Sequence, residues 1–310
     1  MKLICHFQPD SPEVDLWIRD LSHLLPSAQI TRWQAGAAPA DYAIIWNPDK
    51  QFLTGQTKLK AMFNAGAGVD ALLRQQPDVS CPLIRLEDAG MAEQMSDYVT
   101  QAVLHHYRDF GLYQNNQQAA QWQARPLQSK SSFPIGVLGL GVLGQRVAQD
   151  LAARGFPVHA WTRSQRSQGD DGIRLFHGTE QLSPFLAATQ ILVCLLPLTP
   201  ETENILNRDT LRQLRRGAYL INVARGAHIV DEDLIAALNE GQLSGATLDV
   251  FRQEPLPSTH PFWQQPNLRL TPHISAMTLR EDAVRQIVDK IERLEAGLPV
   301  GGVVNIERGY

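Results

Sequence analysis

One stretch constrains the fold of this 310-residue chain more than any other: Ile135-Gly136-Val137-Leu138-Gly139-Leu140-Gly141-Val142-Leu143-Gly144. The apolar run Ile135–Leu138 predicts a buried strand, and Gly139, Gly141 and Gly144 follow it in G-x-G-x-x-G spacing at the mouth of a helix. Gly139 permits the tight turn, Gly141 lets backbone amides come close to a pyrophosphate, and Gly144 lets the helix sit close on the sheet. Gly155 then predicts the helix stop, and Val158–Thr162 the next strand. Strand, glycine turn, helix and strand in that order make a βαβ unit, which commits the chain to a parallel sheet covered on both faces. The unit also makes Gly139, Gly141, Val142, Leu143 and Gly144 candidates for holding a dinucleotide.

The same alternation runs through the whole chain. Lys2–Phe7, Asp41–Trp46, Ala61–Ala65 and Pro82–Leu86 read as strands, with an amphipathic helix over Glu13–Leu25. A long helix without internal break is predicted over 91–110, followed by a polar surface excursion over Gln114–Ser132. After Phe133 come the strands Ile135–Leu138, Val158–Thr162, Ile191–Leu196, Tyr219–Val223, Ala246–Val250 and Leu268–Leu270. Asp231 reads as the N-cap of a helix closed by Gly241, and the stretch after Leu279 reads as helical to about Ala296. That last helix is too short to be a domain and must pack on something already built. The length fits two α/β domains with doubly wound parallel sheets.

The end of the second strand of the βαβ unit departs from the NAD pattern. An NAD site places Asp or Glu there to accept from the ribose 2′-hydroxyl. Here the residues are Trp161-Thr162-Arg163-Ser164-Gln165-Arg166, with no carboxylate and two guanidiniums in one turn. Guanidinium forks suit a 2′-phosphate, so Thr162, Arg163, Ser164 and Arg166 point to NADP(H), with NAD(H) as the lesser possibility.

Three further segments fall at the C-terminal ends of predicted strands, where open α/β sheets bind their ligands. They are Asn222-Val223-Ala224-Arg225-Gly226, Leu248-Asp249-Val250-Phe251-Arg252-Gln253-Glu254-Pro255-Leu256 and Leu270-Thr271-Pro272-His273-Ile274-Ser275-Ala276. An Arg, a Glu and a His in such loops can polarise a carbonyl, tune an imidazole and deliver a proton. Taken singly, Arg225 could cap a helix, Glu254 could be a plain loop acid and His273 a core histidine.

Together with Asn64-Ala65-Gly66-Ala67-Gly68-Val69-Asp70 upstream, these segments resemble the D-2-hydroxyacid dehydrogenase family over nearly the whole chain. Ala43-Ile44-Ile45-Trp46, Arg85-Leu86-Glu87-Asp88-Ala89-Gly90-Met91, Trp161-Thr162-Arg163 and Arg308-Gly309-Tyr310 resemble its bacterial branch of glyoxylate and hydroxypyruvate reductases. The resemblance implies a flavodoxin-like substrate domain from residues 1–97 and 279–310, and an inserted Rossmann NADP-binding domain over 98–278. It implies that Arg225 binds the 2-oxoacid carboxylate and carbonyl. His273 would protonate the carbonyl oxygen, and Glu254 would hold the imidazole and favour its charged form. The amides of Gly68 and Val69 would grip the substrate carboxylate and Trp46 would wall the pocket. Leu196, Pro197, Ala224 and Asp249 would lie against the cofactor. It also implies a homodimer, with the helix that begins near Met91 at the interface.

The remaining features narrow the function classes. Lys and Arg number 28 against 32 Asp and Glu, a formal −4 that lacks the basic excess of a nucleic-acid or anionic-membrane binder. No apolar run approaches the ~20 residues of a membrane span. Cys5, Cys81 and Cys194 are far apart and lack CxxC spacing, as in reduced thiols of a cytoplasmic protein. His105, His106, His159, His177, His228 and His260 have no metal-ligand spacing and invite no catalytic role. Within the family, Glu254 stands where formate dehydrogenases carry Gln, and the stretch after His273 is short for the regulatory domain of many phosphoglycerate dehydrogenases. Two alternatives stay open: a reductase of bulkier 2-oxoacids such as hydroxyphenylpyruvate, and a non-catalytic nucleotide-sensing protein on the same fold.

Overall fold

Every pairing between named strands is parallel, as expected where each apolar run is followed by a crossover rather than a tight turn. The computed structural model describes residues 1–8, 11–75, 81–165 and 172–309. The chain divides into two units, Met1–Met91 with Met277–Tyr310, and Ala92–Ala276.

In the first unit the strands are β1 (Lys2–Phe7), β2 (Gln29–Arg32), β3 (Tyr42–Trp46), β4 (Ala61–Asn64) and β5 (Leu83–Arg85), in the order β2-β1-β3-β4-β5. That is the flavodoxin-like doubly wound order. Ile4, Ala43, Ile45 and Met62 build the core of one face with Phe52 and Leu72. The helix Arg280–Glu295 returns to this unit and buries Ala283, Val284, Ile287, Val288 and Ile291. Burying such aliphatic side chains is worth about 1.5–3 kcal/mol each for Val, Leu or Ile. Polar ties fix its register: Arg280 Nε donates to Asp20 Oδ2 at 2.7 Å, and Lys290 Nζ reaches Glu87 Oε2 at 3.1 Å and the Gly301 carbonyl at 2.9 Å. The stretch beyond it closes the β5 edge through an antiparallel bridge between Ile84 and Val303.

In the second unit the strands are β6 (Ile135–Leu138), β7 (Val158–Thr162), β8 (Arg174–His177), β9 (Ile191–Cys194), β10 (Ala218–Asn222), β11 (Leu243–Leu248) and β12 (Leu268–Leu270). Their order, β12-β11-β10-β9-β6-β7-β8, is the Rossmann arrangement with one strand added. Chain direction across the sheet reverses between β6 and β9, so the crevice at that switch point lies between the Gly139 turn and the segment after Cys194. One face buries Leu138, Phe185, Leu192, Leu220 and Leu248, and the other Val137, Val147, Val193, Ile221 and Val99.

The structure departs from the sequence reading at four places. β2 and β8 carry no apolar run; both are partly exposed edge strands, Gln29–Arg32 and Arg174–His177. The long helix ends at Tyr107, because Asp109 adopts a left-handed φ of 56°, and a second helix runs from Phe110 to Gln118. The polar excursion therefore begins as helix and becomes irregular only after Gln118. Asp231 is the first residue of its helix rather than its cap; Val230 takes that position without a side-chain bond, while the Asp231 carboxylate sits 3.4 Å from His260 Nε2.

Candidate active site

The glycines of the β6 turn separate into two kinds. A Cβ on Gly144 would lie 2.0 Å from the Gly139 carbonyl oxygen, and Gly139 itself has φ +96° with Leu195 O 2.7 Å from its Cβ position. Both must be glycine for the protein to pack on itself. Gly141 is different: among the described residues, nothing lies within 4 Å of a Cβ built there. It caps the helix Val142–Ala153, whose N-terminus has no side-chain cap and no acid in its first turn. An open helix N-terminus beside a glycine that internal packing does not require is what a pyrophosphate needs, and these residues fit one.

At the end of β7, Thr162 is buried and its hydroxyl donates to the Ser164 carbonyl at 2.9 Å, with His177 Nδ1 at 3.0 Å. Thr162 thus shapes the turn, while Arg163 and Ser164 stand exposed on it. Arg163 Nη1 lies 3.6 Å from Glu201 Oε2, an acid from the loop after β9. The Thr199 hydroxyl and the backbone amide hold the Glu201 carboxyl below its usual range, and Arg163 adds to that.

The loops after β10, β11 and β12 are tied to one another. Asn222 is fully buried; its Nδ2 donates to the Arg225 carbonyl at 2.9 Å and its Oδ1 accepts from Ala224 N at 3.2 Å. Gly226 follows because a Cβ there would fall 1.9 Å from the Phe251 carbonyl carbon, so the Arg225 loop rests directly on the Glu254 loop. Glu254 Oε1 accepts from Phe251 N at 2.9 Å, which aims Oε2 at His273 Nδ1, 2.7 Å away. A carboxylate only accepts, so Nδ1 carries the proton and Nε2 is left to serve a ligand.

His273 sits in a left-handed conformation, φ 56°, which a non-glycine residue adopts only when its surroundings enforce it. Asp249 does so. It is fully buried, and its two carboxylate oxygens accept from the Thr271 hydroxyl at 2.6 Å, Ile274 N at 2.9 Å and Ser275 N at 2.8 Å. Its carbonyl accepts from His273 N at 2.8 Å, and the Tyr98 hydroxyl completes the network on Thr271.

In the first unit, the loop after β4 is held by Asn64, whose Nδ2 donates to the carbonyls of Gly66 at 2.9 Å and Gly68 at 3.0 Å. Val69 caps the short helix Asp70–Arg74 without a side-chain bond. Trp46, at the end of β3, lays its ring on Gly66: a Cβ there would be 2.5 Å from Trp46 Cζ3.

Residues 100–275 match the family of D-isomer-specific 2-hydroxyacid dehydrogenases, in its NAD-binding domain. The chain is 48% identical over 301 residues to a glyoxylate/hydroxypyruvate reductase A from Serratia proteamaculans, covering 95% of this chain and 96% of that protein. Among solved structures, it matches a D-isomer-specific 2-hydroxyacid dehydrogenase from Xanthobacter autotrophicus Py2 in complex with NADPH and MES, with TM-score 0.94, 38% identity, and coverage of 100% and 99% of the two chains. It also matches an NADPH-dependent glyoxylate/hydroxypyruvate reductase from Sinorhizobium meliloti in complex with NADP and sulfate, with TM-score 0.91, 32% identity and the same coverage.

The chain belongs to the D-2-hydroxyacid dehydrogenase family.

For a member of this dehydrogenase family, the structure brings some expected residues together and leaves others apart. Glu254 and His273 touch, and the Arg225 loop packs against the loop that carries Glu254. Asp249, expected beside a cofactor, has both carboxylate oxygens engaged by the loop that holds His273. Leu196 is buried and Pro197 exposed, at the switch point beside the Gly139 turn. Arg166 lies outside the described residues. Sequence reasoning missed Glu201, Thr271 and Tyr98. Each acts through a partner far away in the chain, so no local motif announces it.

Proposed function

We propose that this dehydrogenase is an NADPH-preferring reductase of small 2-oxoacids, converting glyoxylate to glycolate and hydroxypyruvate to D-glycerate. The observation that carries the reading is the 2.7 Å Glu254–His273 pair on a loop clamped by buried Asp249. When bound, the nicotinamide supplies the hydride for the carbonyl carbon. His273, protonated on both nitrogens with Glu254 bonded to Nδ1, gives its Nε2 proton to the carbonyl oxygen. Arg225 pairs with the carboxylate and polarises the carbonyl, and the amides of Gly68 and Val69 also grip the carboxylate. The open amides of Val142 and Leu143 would hold the pyrophosphate, with Leu196, Pro197, Ala224 and Asp249 beside the cofactor, and Arg163 and Arg166 the 2′-phosphate.

On this reading Ala92–Ala276 is the cofactor-binding domain, and the other unit takes the substrate. Similar structures of a 2-hydroxyacid dehydrogenase with NADPH and of a glyoxylate/hydroxypyruvate reductase with NADP support it. The Trp46 ring seated on Gly66 takes up room that a bulkier 2-oxoacid would need, which favours glyoxylate and hydroxypyruvate over hydroxyphenylpyruvate. We also infer a homodimer, because Trp122 is fully exposed at 104% and Leu127 and Phe110 stand out nearby in sequence. A cytoplasmic setting suits its free cysteines, of which Cys5 and Cys194 are buried.

The deciding experiment is NADPH oxidation with glyoxylate, hydroxypyruvate, pyruvate and phenylpyruvate, repeated with NADH. The reading expects the first two substrates to lead with NADPH. Nucleotide binding with no turnover of any of the four would point instead to a sensing protein. Light scattering of the same preparation checks the dimer.

A further inference from the structure

His228 belongs to none of the roles above, yet it is a fully buried histidine placed between two loops of the candidate site. It ends the turn Gly226–His228 after Arg225. Its Nδ1 lies 3.3 Å from the Arg225 amide nitrogen and 3.0 Å from the Arg225 carbonyl oxygen. Its Nε2 lies 3.4 Å from the Pro197 carbonyl oxygen. The two loops leave adjacent parallel strands, with Asn222 of β10 paired to Cys194 of β9. One imidazole therefore spans the gap between the loop of the substrate-binding arginine and the loop beside the glycine turn.

The proton count assigns the ring. The Arg225 carbonyl already accepts from Asn222 Nδ2 at 2.9 Å and from His228 N at 3.3 Å, which uses both its lone pairs. The Pro197 carbonyl accepts from the Thr202 hydroxyl at 2.7 Å and has a second lone pair toward Nε2. The Arg225 N–H needs an acceptor, and a buried amide rarely goes without one. With the proton on Nε2, Nδ1 accepts from Arg225 N–H and Nε2 donates to Pro197 O, so each nitrogen serves one loop. The turn has little freedom to shift otherwise, since Gly226 is in van der Waals contact with Phe251 and Arg252, and Leu206 N donates to the His228 carbonyl at 2.9 Å.

We propose that His228 is a positioning residue that anchors the Arg225 loop through Nδ1 and the Pro197 loop through Nε2, so that one ring fixes a loop of the 2-oxoacid site and a loop of the nucleotide site. The proposal rests on the reductase reading above. Its test separates the two ring nitrogens. In His228→Asn the amide oxygen stands in for Nδ1 and the link to Pro197 is lost. In His228→Gln the amide nitrogen reaches the Nε2 position and the link to Arg225 N–H is lost. Removing one neutral hydrogen bond should cost about threefold to tenfold in the ligand served by that loop. His228→Asn is expected to raise the Kd for NADPH, measured by nucleotide fluorescence without substrate, and to leave the KM for glyoxylate within about twofold. His228→Gln is expected to do the reverse. Parallel change in both quantities in both variants, or change in neither, overturns the anchoring of one loop by each nitrogen while leaving the reductase reading intact. Absence of NADPH binding and glyoxylate turnover in the unmodified protein overturns both. Nitrogen-15 NMR of the histidine-labelled protein gives a check that needs no variant: His228 is expected as the Nε2–H tautomer, and an Nδ1–H tautomer or an imidazolium overturns the assignment.

Discussion

Arg225 illustrates how much of the proposed chemistry depends on the shape of a charge rather than its sign. A guanidinium can bind a planar 2-oxoacid through two parallel bonds, whereas an ammonium offers a point charge. Arg225→Lys is expected to keep the melting temperature and the NADPH Kd, and to lose about ten- to a hundredfold in kcat/KM for glyoxylate. Glu254→Gln leaves one acceptor oxygen where Phe251 N–H and His273 Nδ1–H each use an oxygen of their own, and it removes the negative charge. Its kcat should fall by about five- to tenfold, because one of the two bonds that aim the ring is lost. At the nucleotide end, replacing Arg163 and Arg166 together should remove most of the NADPH preference and spare NADH turnover. Glu201→Gln should move the other way, lowering the KM for NADPH by about two- to threefold, the scale of an exposed ion pair. The arginines were legible because the family's acid is missing from their turn. Glu201 was not, because it meets Arg163 from a different strand end.

The glycine turn gives the sharpest expectation at the level of an element. Gly144→Ala puts a methyl 2.0 Å from the Gly139 carbonyl oxygen, so the turn and helix must separate, and both melting temperature and NADPH binding should suffer. Gly141→Ala meets no described protein atom. It should melt normally and still lose about tenfold or more in NADPH affinity, because the methyl would stand where the pyrophosphate approaches. A variant pair that fell equally in stability would mean that both glycines serve packing alone. Elements were readable in proportion to how completely they are buried. β6, β7 and β9 are fully buried, β6 and β9 as unbroken apolar runs, and their starts were placed to the residue. β2 and β8, at the sheet edges, mix polar and apolar residues and carry no period. The break at Asp109 comes from one backbone angle, which a polar residue in a helical pattern does not reveal.

For the molecule as a whole, two histidines, His106 partly and His159 fully buried, weaken the fold in acid. Burial holds His106 and His159 neutral, with pKa values lowered to about 4; Arg174 adds to the effect at His159. His106 stacks on Tyr219 at 4.2 Å and His159 bonds the Thr189 hydroxyl at 2.8 Å. The unfolded chain takes up these protons near pH 6.5 and the folded chain only near pH 4. Their contribution is therefore complete above pH 6.5 and lost as pH falls between those values, on the order of 2 kcal/mol each by pH 5. Melting temperature measured from pH 7 down to pH 4.5 should drop steeply, and His159→Gln should flatten that slope. The topology carries one more consequence. The first sheet is covered by a helix, Arg280–Glu295, that is synthesised after every strand of the second sheet, all of which lie within Ala92–Ala276. During synthesis the middle of the chain can fold while the earlier-made N-terminal strands wait with an apolar face uncovered, needing either protection or speed. Nascent chains arrested after residue 276 should show a protease-resistant core from the middle of the sequence and a cleavable N-terminal segment. That segment should become resistant only once the closing helix has emerged.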